Sequence, residues 1–271
     1  MKILAIGDPH GDLEKIKKIP IENVDLILLT GDLGKADFAR KRYFENVKRK
    51  KEGLNKLKYD GKASKIAYTE ISDSTLNILK YLSKFSQIYS ILGNVGNNMI
   101  KDSEVKKDEK KYKVKLPYLG REIKKIKIFH LAINRLRKLS NLKIGFLEYF
   151  IDTSWVKEFK PSNYKKSMKK AKKETEKAKR ILKNFKNLDI LICHQPPYGI
   201  LDKVSGKYGA PKYYIGKHAG SKAILDYIKK YQPKYVFCGH IHEGEGKAKI
   251  GKTEVYNLGV AGHKIIDLPQ N

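Results

Sequence analysis

Five short stretches of the chain are almost continuous runs of apolar residues, and each run is followed directly by polar side chains. The runs are KILAI (2–6), DLILLT (25–30), QIYSIL (87–92), DILIC (189–193) and KYVFC (234–238). Runs of this length that are rich in Ile, Leu and Val are typical of β-strands covered on both faces. The pattern therefore predicts five buried strands with polar groups just beyond their carboxyl ends.

Helical patterns separate several of these strands. A short helix is predicted between Asp12, its capping residue, and Pro20, and longer helices are predicted over 36–52, 70–85 and 218–231. Alternation of strands and helices favours a largely parallel sheet, in which ligands bind beyond the carboxyl ends of the strands. A glycine precedes the polar residue after four of the five strands and permits a sharp turn there. The five polar clusters are therefore expected at one edge of the fold.

The residues predicted to meet at this edge are four histidines, two aspartates and one asparagine: Asp8, His10, Asp32, Asn94, His194, His240 and His242. Seven such groups are too many for one tetrahedral ion. They suit two divalent transition-metal ions, for which manganese is our first choice and iron, cobalt, nickel and zinc are alternatives. Two ions about 4 Å apart could hold a hydroxide for in-line attack at phosphorus. Each residue alone also has a simpler structural role, so the hypothesis depends on their recurrence at strand ends.

Composition limits the class of protein. The chain has 271 residues, 41% of them hydrophobic, which is sufficient for a large core. No apolar run approaches the ~18 residues of a membrane span, and the start MKILAIGD lacks the apolar stretch of a signal peptide. We therefore expect a cytoplasmic protein with no membrane partner. Cys193 and Cys238 lie within apolar runs and are expected to be buried free thiols.

The charge is strongly positive, because 58 Lys and Arg residues face 29 Asp and Glu residues, a formal net charge of +29. Such a field attracts polyanions and phosphorylated substrates. Nucleic acid is therefore a candidate partner, although arginine, which makes the bidentate contacts to phosphate and bases, is scarce. A heat-adapted surface would explain the many lysines better than the imbalance. The state of oligomerisation is left open.

The order of the motifs resembles that of the calcineurin-like metallophosphoesterases. The matching residues span most of the chain, from 3 to 260: Asp8 and His10, Gly31-Asp32, Gly93-Asn94, His194, and Gly239-His240 with His242. The stretch GKHAGSKAILDYIKKYQPKYVFCGHIHEGEG is similar to small archaeal and bacterial members of phosphodiesterase type. The resemblance implies an α/β fold of four layers, α-β-β-α, in which two mixed sheets pack face to face and a two-metal site lies at the strand carboxyl ends.

The resemblance also implies which residues share each ion. One ion would be held by Asp8, His10, Asp32 and His242. The other would be held by Asp32, Asn94, His194 and His240, so that Asp32 bridges the pair. Asp32 and Asn94 would thereby take part in catalysis as well as in binding.

One position departs from the family pattern. The third motif normally reads G-N-H followed by an acidic residue, but this chain reads GNVGNN, with Val95 in place of the histidine. A valine side chain cannot donate a proton, and loss of a general acid costs about 10²- to 10⁴-fold in rate, less with a good leaving group. We therefore expect a phosphoester hydrolase that prefers diesters. A nuclease for DNA or RNA and a non-catalytic scaffold with a degenerate fold are the alternatives.

His218, Gly220 and Ser221 form a second candidate site at the predicted start of helix 218–231. A helix N-terminus offers free N–H groups to a phosphate, so the three residues are candidates for substrate binding and His218 for the missing catalytic acid. The alternative is that His218 is an ordinary residue of a helix start.

The remaining segments are given simpler interpretations. The whole chain, 1–271, is predicted to be a single domain. Residues 101–127 alternate lysine with apolar residues and are predicted to form strands or connectors. Residues 157–187 are predicted to form one long lysine-rich helix, for which a solvated surface is favoured over a substrate-facing insertion. His130 and His263 match no motif and are predicted to be structural.

Overall fold

The computed structural model describes residues 1–268, with residue 51 described by its backbone alone. The last three residues of the predicted 1–271 domain lie outside the described part, and the single domain stays a prediction. The strands are β1 (Lys2–Ile6), β2 (Leu26–Leu29), β3 (Gln87–Ser90), β4 (Phe129–Leu131), β5 (Arg135–Leu139), β6 (Leu142–Leu147), β7 (Ile190–Cys193), β8 (Tyr235–Cys238), β9 (Gly246–Ile250), β10 (Thr253–Asn257) and β11 (His263–Asp267). All five strands predicted from the apolar runs are among them, as β1, β2, β3, β7 and β8.

The helices are α1 (Leu13–Lys17), α2 (Asp37–Lys51), α3 (Gly61–Leu82), α4 (Asp102–Tyr112), α5 (Leu119–Lys124), α6 (Thr153–Phe159), α7 (Tyr164–Asn184) and α8 (Lys222–Tyr231). Within residues 1–268, none of them is long and apolar enough to cross a membrane. Asp12 caps α1 as predicted, since its carboxylate accepts a hydrogen bond from the Lys15 backbone N–H at 3.0 Å. The third predicted helix begins earlier than expected, at Gly61, because Asp60 caps it through the Ala63 N–H.

The strands form two mixed sheets. One has the order β11-β1-β2-β3-β4, in which β1 to β4 are parallel and β11 is antiparallel at the edge. The other has the order β5-β6-β7-β8-β10-β9, with four parallel inner strands between antiparallel edges. Ile6 pairs with Leu29, and Leu29 pairs with Ser90, so β1, β2 and β3 end at the same level. This register places the residues that follow them side by side.

The two sheets pack face to face over a shared apolar core. Ile3 and Leu28 from the first sheet contact a cluster that includes Phe146, Ile192 and Phe237 from the second, and all five side chains are fully buried. Alternate strand residues point away from this interface because side chains on a strand alternate between the two faces.

The outward-facing strand residues are covered by helices. Leu4 and Ile27 belong to a cluster with residues of α1 and α3, while Leu191 and Val236 belong to a cluster with residues of α7 and α8. Burial on both faces explains the continuous apolar runs in the sequence. The predicted four-layer α-β-β-α sandwich is confirmed, and Cys193 and Cys238 are buried and free within it.

Besides the start of α3, three predictions about helices and strands are wrong. Residues 157–187 do not form one helix, because α6 ends where Lys160 adopts a left-handed conformation (φ 42°) before Pro161, and α7 begins afterwards. A residue before proline is disfavoured in the α conformation, which accounts for the break. Residues 101–127 contain α4 and α5 in place of strands. Acidic Asp102 and Glu104 in the first turn of α4 complement the helix dipole.

The third error concerns the start of α8. The predicted helix began at 218, but Ser221 is the capping residue and the helix begins at Lys222. The Ser221 hydroxyl accepts the Ile224 backbone N–H at 3.2 Å, which satisfies one free donor of the first turn.

Truncation of Phe237 should destabilise the fold more than truncation of an exposed apolar residue. Phe237→Ala removes a fully buried ring from the interface between the sheets, and we expect the free energy of unfolding to fall by about 3–5 kcal/mol. Leu136→Ala, on the edge strand β5, is the control and should change it by less than about 0.5 kcal/mol, because Leu136 is 38% exposed. Urea unfolding monitored by circular dichroism measures both. Equal losses would contradict this account of the core.

Candidate metal centre

The structure brings the seven predicted ligand residues to the carboxyl ends of five strands. Asp8 and His10 follow β1, Asp32 follows β2, and Asn94 follows β3. His194 comes directly after β7, and His240 and His242 follow β8. Since the two sheets face each other, these two sets of loops meet at one end of the sandwich.

Asp8, His10 and His242 form the first ligand group, with one ligand atom of each within 4.8 Å of the others. The two imidazoles face each other, with 3.2 Å between His10 Nε2 and His242 Nε2. His242 Nε2 also lies 3.3 Å from Asp8 Oδ2. Three donor atoms therefore converge on one point.

Asp8, Asp32 and His194 form the second ligand group. His194 Nε2 lies 3.4 Å from Asp32 Oδ2 and 2.9 Å from Asn94 Oδ1. Asp32 Oδ2 is also 3.8 Å from His10 Nε2, so this carboxylate oxygen lies between the two groups. Asp8 belongs to both ligand groups, so the Asp8 and Asp32 carboxylates both lie where the two groups meet.

His240 completes the cluster on the side of His194. The centroids of their rings are 4.8 Å apart, and the backbone N–H of His240 donates to Asp8 Oδ2 at 2.5 Å. Tyr149 lies over both imidazoles, with ring centroids 5.1 Å from His240 and 5.6 Å from His194. The sequence did not single out Tyr149.

Hydrogen bonds from the surrounding chain orient these ligands. His194 Nδ1 is 2.9 Å from the Thr30 carbonyl oxygen, so Nδ1 carries a proton and Nε2 is the ring nitrogen that faces Asp32 and Asn94. The Thr30 hydroxyl donates to Asp8 Oδ1 at 2.7 Å. Thr30 therefore fixes one ligand from each sheet, although in the sequence it is merely the last letter of an apolar run.

The Asp32 carboxylate is fixed by the loop after β3. Its Oδ1 accepts the backbone N–H groups of Asn94 at 2.7 Å and Val95 at 2.8 Å, which leaves Oδ2 to face the imidazoles. Val95 thus contributes its main chain to the site, while its side chain has no polar group. Glu148 in turn holds this loop through the N–H groups of Leu92 and Gly93, both at 2.8 Å.

Glu148 could have been found from the sequence. It follows β6 as Asp8 follows β1, but the glycine and the lysine within LKIGFL interrupt the apolar pattern of this strand. Burial raises the pKa of the Glu148 carboxyl against the hydrogen bonds that lower it.

The backbone at the site is unusually constrained. His10, Asp32 and His240 all have positive φ angles, of 44°, 45° and 64°, which non-glycine residues adopt rarely. A Cβ on Gly93 would clash with the Asp32 carboxylate, and one on Gly239 would clash with Asp8. The glycines are therefore required because the carboxylates lie against the main chain.

The two carboxylates and His194 are buried, so their charges depend on one another. Burial opposes ionisation of Asp8 and Asp32, but His194 outweighs it and the pKa of each carboxyl is lowered. Burial likewise opposes a charge on His194, yet Asp32 and Asp8 raise its pKa to about 10. In the metal-free protein, the two carboxylates therefore hold a proton on His194.

Two other imidazoles behave in the opposite way. Burial lowers the pKa of His10, and burial together with the charge on His194 lowers the pKa of His240 to about 3. Both are neutral at physiological pH and have lone pairs available for a metal. Imidazole nitrogens, carboxylates and an amide oxygen form a donor set that transition metals favour. The residues present therefore fit a pair of such ions.

The second predicted site is placed differently. Ser221 is fully buried and its hydroxyl lies 2.5 Å from Asp152 Oδ2, while the Gly220 N–H donates to Asp202 at 2.9 Å. Ser221 caps α8, and both polar groups are engaged by carboxylates of the fold. The phosphate contact at this helix start stays a prediction. His218 contacts Asp202 through Nδ1 at 2.7 Å and packs near Tyr198, outside the ligand cluster. Its catalytic role stays an untested prediction.

Comparison with known proteins agrees with this geometry. A sequence profile of the calcineurin-like phosphoesterases, Metallophos, matches residues 1–244. The chain belongs to this family. A curated relative, the uncharacterized protein MJ1162 of Methanocaldococcus jannaschii, is 33% identical over 95 residues. That match spans 34% of this chain and 39% of the relative.

Solved structures share the fold. Phosphopantetheinyl Hydrolase (PptH) from Mycobacterium tuberculosis superimposes with a TM-score of 0.52 and 10% identity, over 96% of this chain and 89% of that one. A dimetal phosphatase from Danio rerio gives a TM-score of 0.50 and 11% identity, over 97% and 88% of the two chains. Family membership therefore places the chain among the calcineurin-like phosphoesterases, and the two ligand groups could each hold a metal ion.

Loss of the Asp32 charge should remove bound metal. Asp32→Asn keeps the shape of the side chain but leaves one negative charge fewer between the two groups, so we expect metal content to fall from about two ions per chain to about one or fewer. Asp267→Asn makes the same change at an exposed position on β11 and should retain both ions. Elemental analysis after dialysis measures the content. Two ions in Asp32→Asn would contradict the bridging position.

Metal affinity should increase with pH. The pKa of His194 is raised to about 10, so below that pH a metal ion must displace its proton. The apparent dissociation constant should therefore fall about tenfold per unit between about pH 6 and pH 8. Titration calorimetry in buffers of different ionisation enthalpy measures both the affinity and the proton released. A pH-independent affinity without proton release would show that His194 is already neutral.

Proposed function

We propose that this protein is a phosphodiesterase that acts with two divalent transition-metal ions. The observation that carries the proposal is the combination of a complete set of seven ligand residues with a valine at position 95. The ligands supply everything needed to hold a metal pair, whereas Val95 supplies no side-chain proton. A phosphodiester carries one negative charge fewer than a phosphomonoester, so the site has less charge to accommodate.

The roles of the chain's own residues follow from the geometry. Asp8, His10 and His242 would hold one ion, while His194, Asn94 and His240 would hold the other, with Asp32 shared. A bound pair of divalent ions lowers the pKa of a water molecule and stabilises charge on phosphoryl oxygens. The buried carboxylates and the hydrogen bonds from Thr30 keep the ligand atoms in place before any substrate arrives.

Manganese is the proposed metal, with iron, cobalt, nickel and zinc as alternatives. The cluster offers both imidazole nitrogen and carboxylate oxygen, and a softer thiolate is absent from its ligands. Cys193 and Cys238 lie next to the site in sequence, but their thiols contact the backbone carbonyls of Phe237 and Tyr256. Burial raises the pKa of both thiols, which makes them poor ligands.

Nucleic acid is the second candidate substrate. The net charge of +29 supports it, and much of the positive charge lies on α7, where Lys165, Lys166, Lys169 and Lys172 are exposed. Lys165, Lys169 and Lys172 share one face of α7, but a charged face of a surface helix is usually a solvated one, so the charge alone does not select a polymer.

Hydrolysis of bis(p-nitrophenyl) phosphate tests the proposal. Protein stripped with a chelator should be inactive, and added Mn²⁺ should restore activity that Asp32→Ala lowers by at least about a hundredfold. The monoester p-nitrophenyl phosphate should react more slowly under the same conditions. Asp267→Ala is the control and should keep full activity.

The other outcomes separate the alternatives. Faster hydrolysis of the monoester would overturn the preference for diesters and leave the metallophosphoesterase. Cleavage of oligonucleotides alone would favour the nuclease. Absence of hydrolysis with every transition metal, in protein that binds two ions, would favour the non-catalytic scaffold.

A further inference from the structure

A cavity of about 460 Å³ lies between the loop after β3, the chain that follows β6, and helix α7. Asn94 and Tyr149 line it, and both also border the metal-ligand cluster. Asn94 Oδ1 is 2.9 Å from His194 Nε2, and the Tyr149 ring lies 5.1 Å from that of His240. Through Asn94 and Tyr149, the cavity therefore adjoins the half of the centre that contains His194 and His240.

The cavity is larger than a phosphate group needs. A volume of about 460 Å³ falls in the range of pockets that enclose organic ligands. Because the phosphoryl group itself must lie at the metal centre, the cavity is available for a substituent on one of its ester oxygens.

One wall of the cavity is apolar and suits the faces of a ring. It includes Ile133 and Leu147 from the sheet side and Ile181 from α7. Ile181 is half-buried, on the same helix as Ala178, whose buried side chain also lines the cavity. Apolar walls with a few placed polar groups are the usual lining of a site for an aromatic ligand.

Another wall offers a hydrogen-bond donor and an acceptor. The Asn134 Oδ1 accepts the Glu148 N–H at 3.0 Å, and the Asn97 Nδ2 donates to the Gly93 carbonyl at 2.7 Å. The other amide atoms, Asn134 Nδ2 and Asn97 Oδ1, have no hydrogen-bond partner within residues 1–268. The remaining donor on Asn134 and acceptor on Asn97 match the alternating acceptors and donors along a nucleobase edge.

The charges around the cavity leave one cation unpaired. Glu148 accepts three backbone N–H groups, and Glu174 is engaged by the Ile151 N–H at 2.7 Å and by Lys170 at 3.6 Å. Lys177, which also lines the cavity, has no carboxylate partner in the described part of the chain. A substrate that brings its own negative charge would be complementary to this rim.

We propose that this cavity binds a nucleoside, so that the substrate is a phosphodiester with one nucleoside substituent. The inference rests on the proposed phosphodiesterase activity and adds to it the identity of one ester group. The base would lie against the apolar wall with its polar edge toward the asparagine amides, and the phosphodiester would reach the metal centre past Asn94.

Two chromogenic diesters test the proposal. Thymidine 5′-(p-nitrophenyl phosphate) and methyl p-nitrophenyl phosphate have the same leaving group and differ only in the second substituent. With the Mn²⁺-loaded protein, we expect kcat/KM to be at least about tenfold higher for the thymidine ester, because only that ester fills the cavity. Equal values for the two esters would overturn the nucleoside assignment.

A matched pair of variants locates the preference. Ile181→Trp fills the cavity from α7 and should lower the ratio of the two kcat/KM values to about one. Lys183→Trp introduces the same ring at an exposed position two residues along the helix, outside the cavity lining, and should retain the wild-type ratio. A ratio unchanged in Ile181→Trp, with a wild-type melting temperature, would place the nucleoside elsewhere.

Binding measured without turnover separates this inference from the proposed function. Thymidine 5′-monophosphate should bind the wild-type protein in titration calorimetry, and its affinity should fall at least about tenfold in Ile181→Trp but not in Lys183→Trp. Hydrolysis of the methyl ester with no thymidine preference and no nucleotide binding would overturn the pocket alone. Nucleotide binding that depends on Ile181, in protein that hydrolyses neither ester, would uphold the pocket and overturn the phosphodiesterase.

Discussion

The burial of two carboxylates between the ends of two sheets is the constraint on which this structure depends. Asp8 is fully buried and Asp32 is 2% exposed, and an ionised carboxylate away from water must be compensated by hydrogen bonds and opposite charge. The compensation comes from the neighbouring strand ends: the Thr30 hydroxyl, the N–H groups of Asn94 and His240, and the imidazoles. Satisfying these two groups therefore joins the ends of five strands drawn from both sheets.

The burial of these carboxylates also explains the unusual backbone conformations and why the ligand atoms are held in place. Glycines at 93 and 239 let the main chain approach the carboxylates, and His10 and Asp32 accept left-handed conformations so that their side chains point inward. These backbone constraints hold the donor atoms in position before a ligand binds. In the metal-free state the excess negative charge is met by a proton on His194, in the place that a cation would take.

Function beyond the shared chemistry depends on what surrounds the ligands. The Val95 backbone N–H still donates to Asp32, but its side chain cannot donate a proton. A poor leaving group would therefore depart more slowly. The chain after β6 contributes Glu148, which holds the loop before Asn94, and Tyr149, which covers the imidazoles. With α7 these residues enclose the cavity beside the centre, so specificity is built from elements outside the motifs.

The sequence alone predicted five inner strands, the α/β class of the fold and the seven ligand candidates. It could do so because an apolar run that ends in a glycine and a polar residue, such as Asp32 or His240, is a local pattern. Only the tertiary structure revealed the roles of Thr30 and Tyr149, which depend on which strand ends meet. It also moved the start of α8 to Lys222, since the choice of Ser221 as cap depends on its buried contact with Asp152, which lies 69 residues away along the chain. Local patterns in the sequence indicate hydrogen bonds between neighbouring residues and the burial of single elements. Contacts between distant segments depend on how those elements pack.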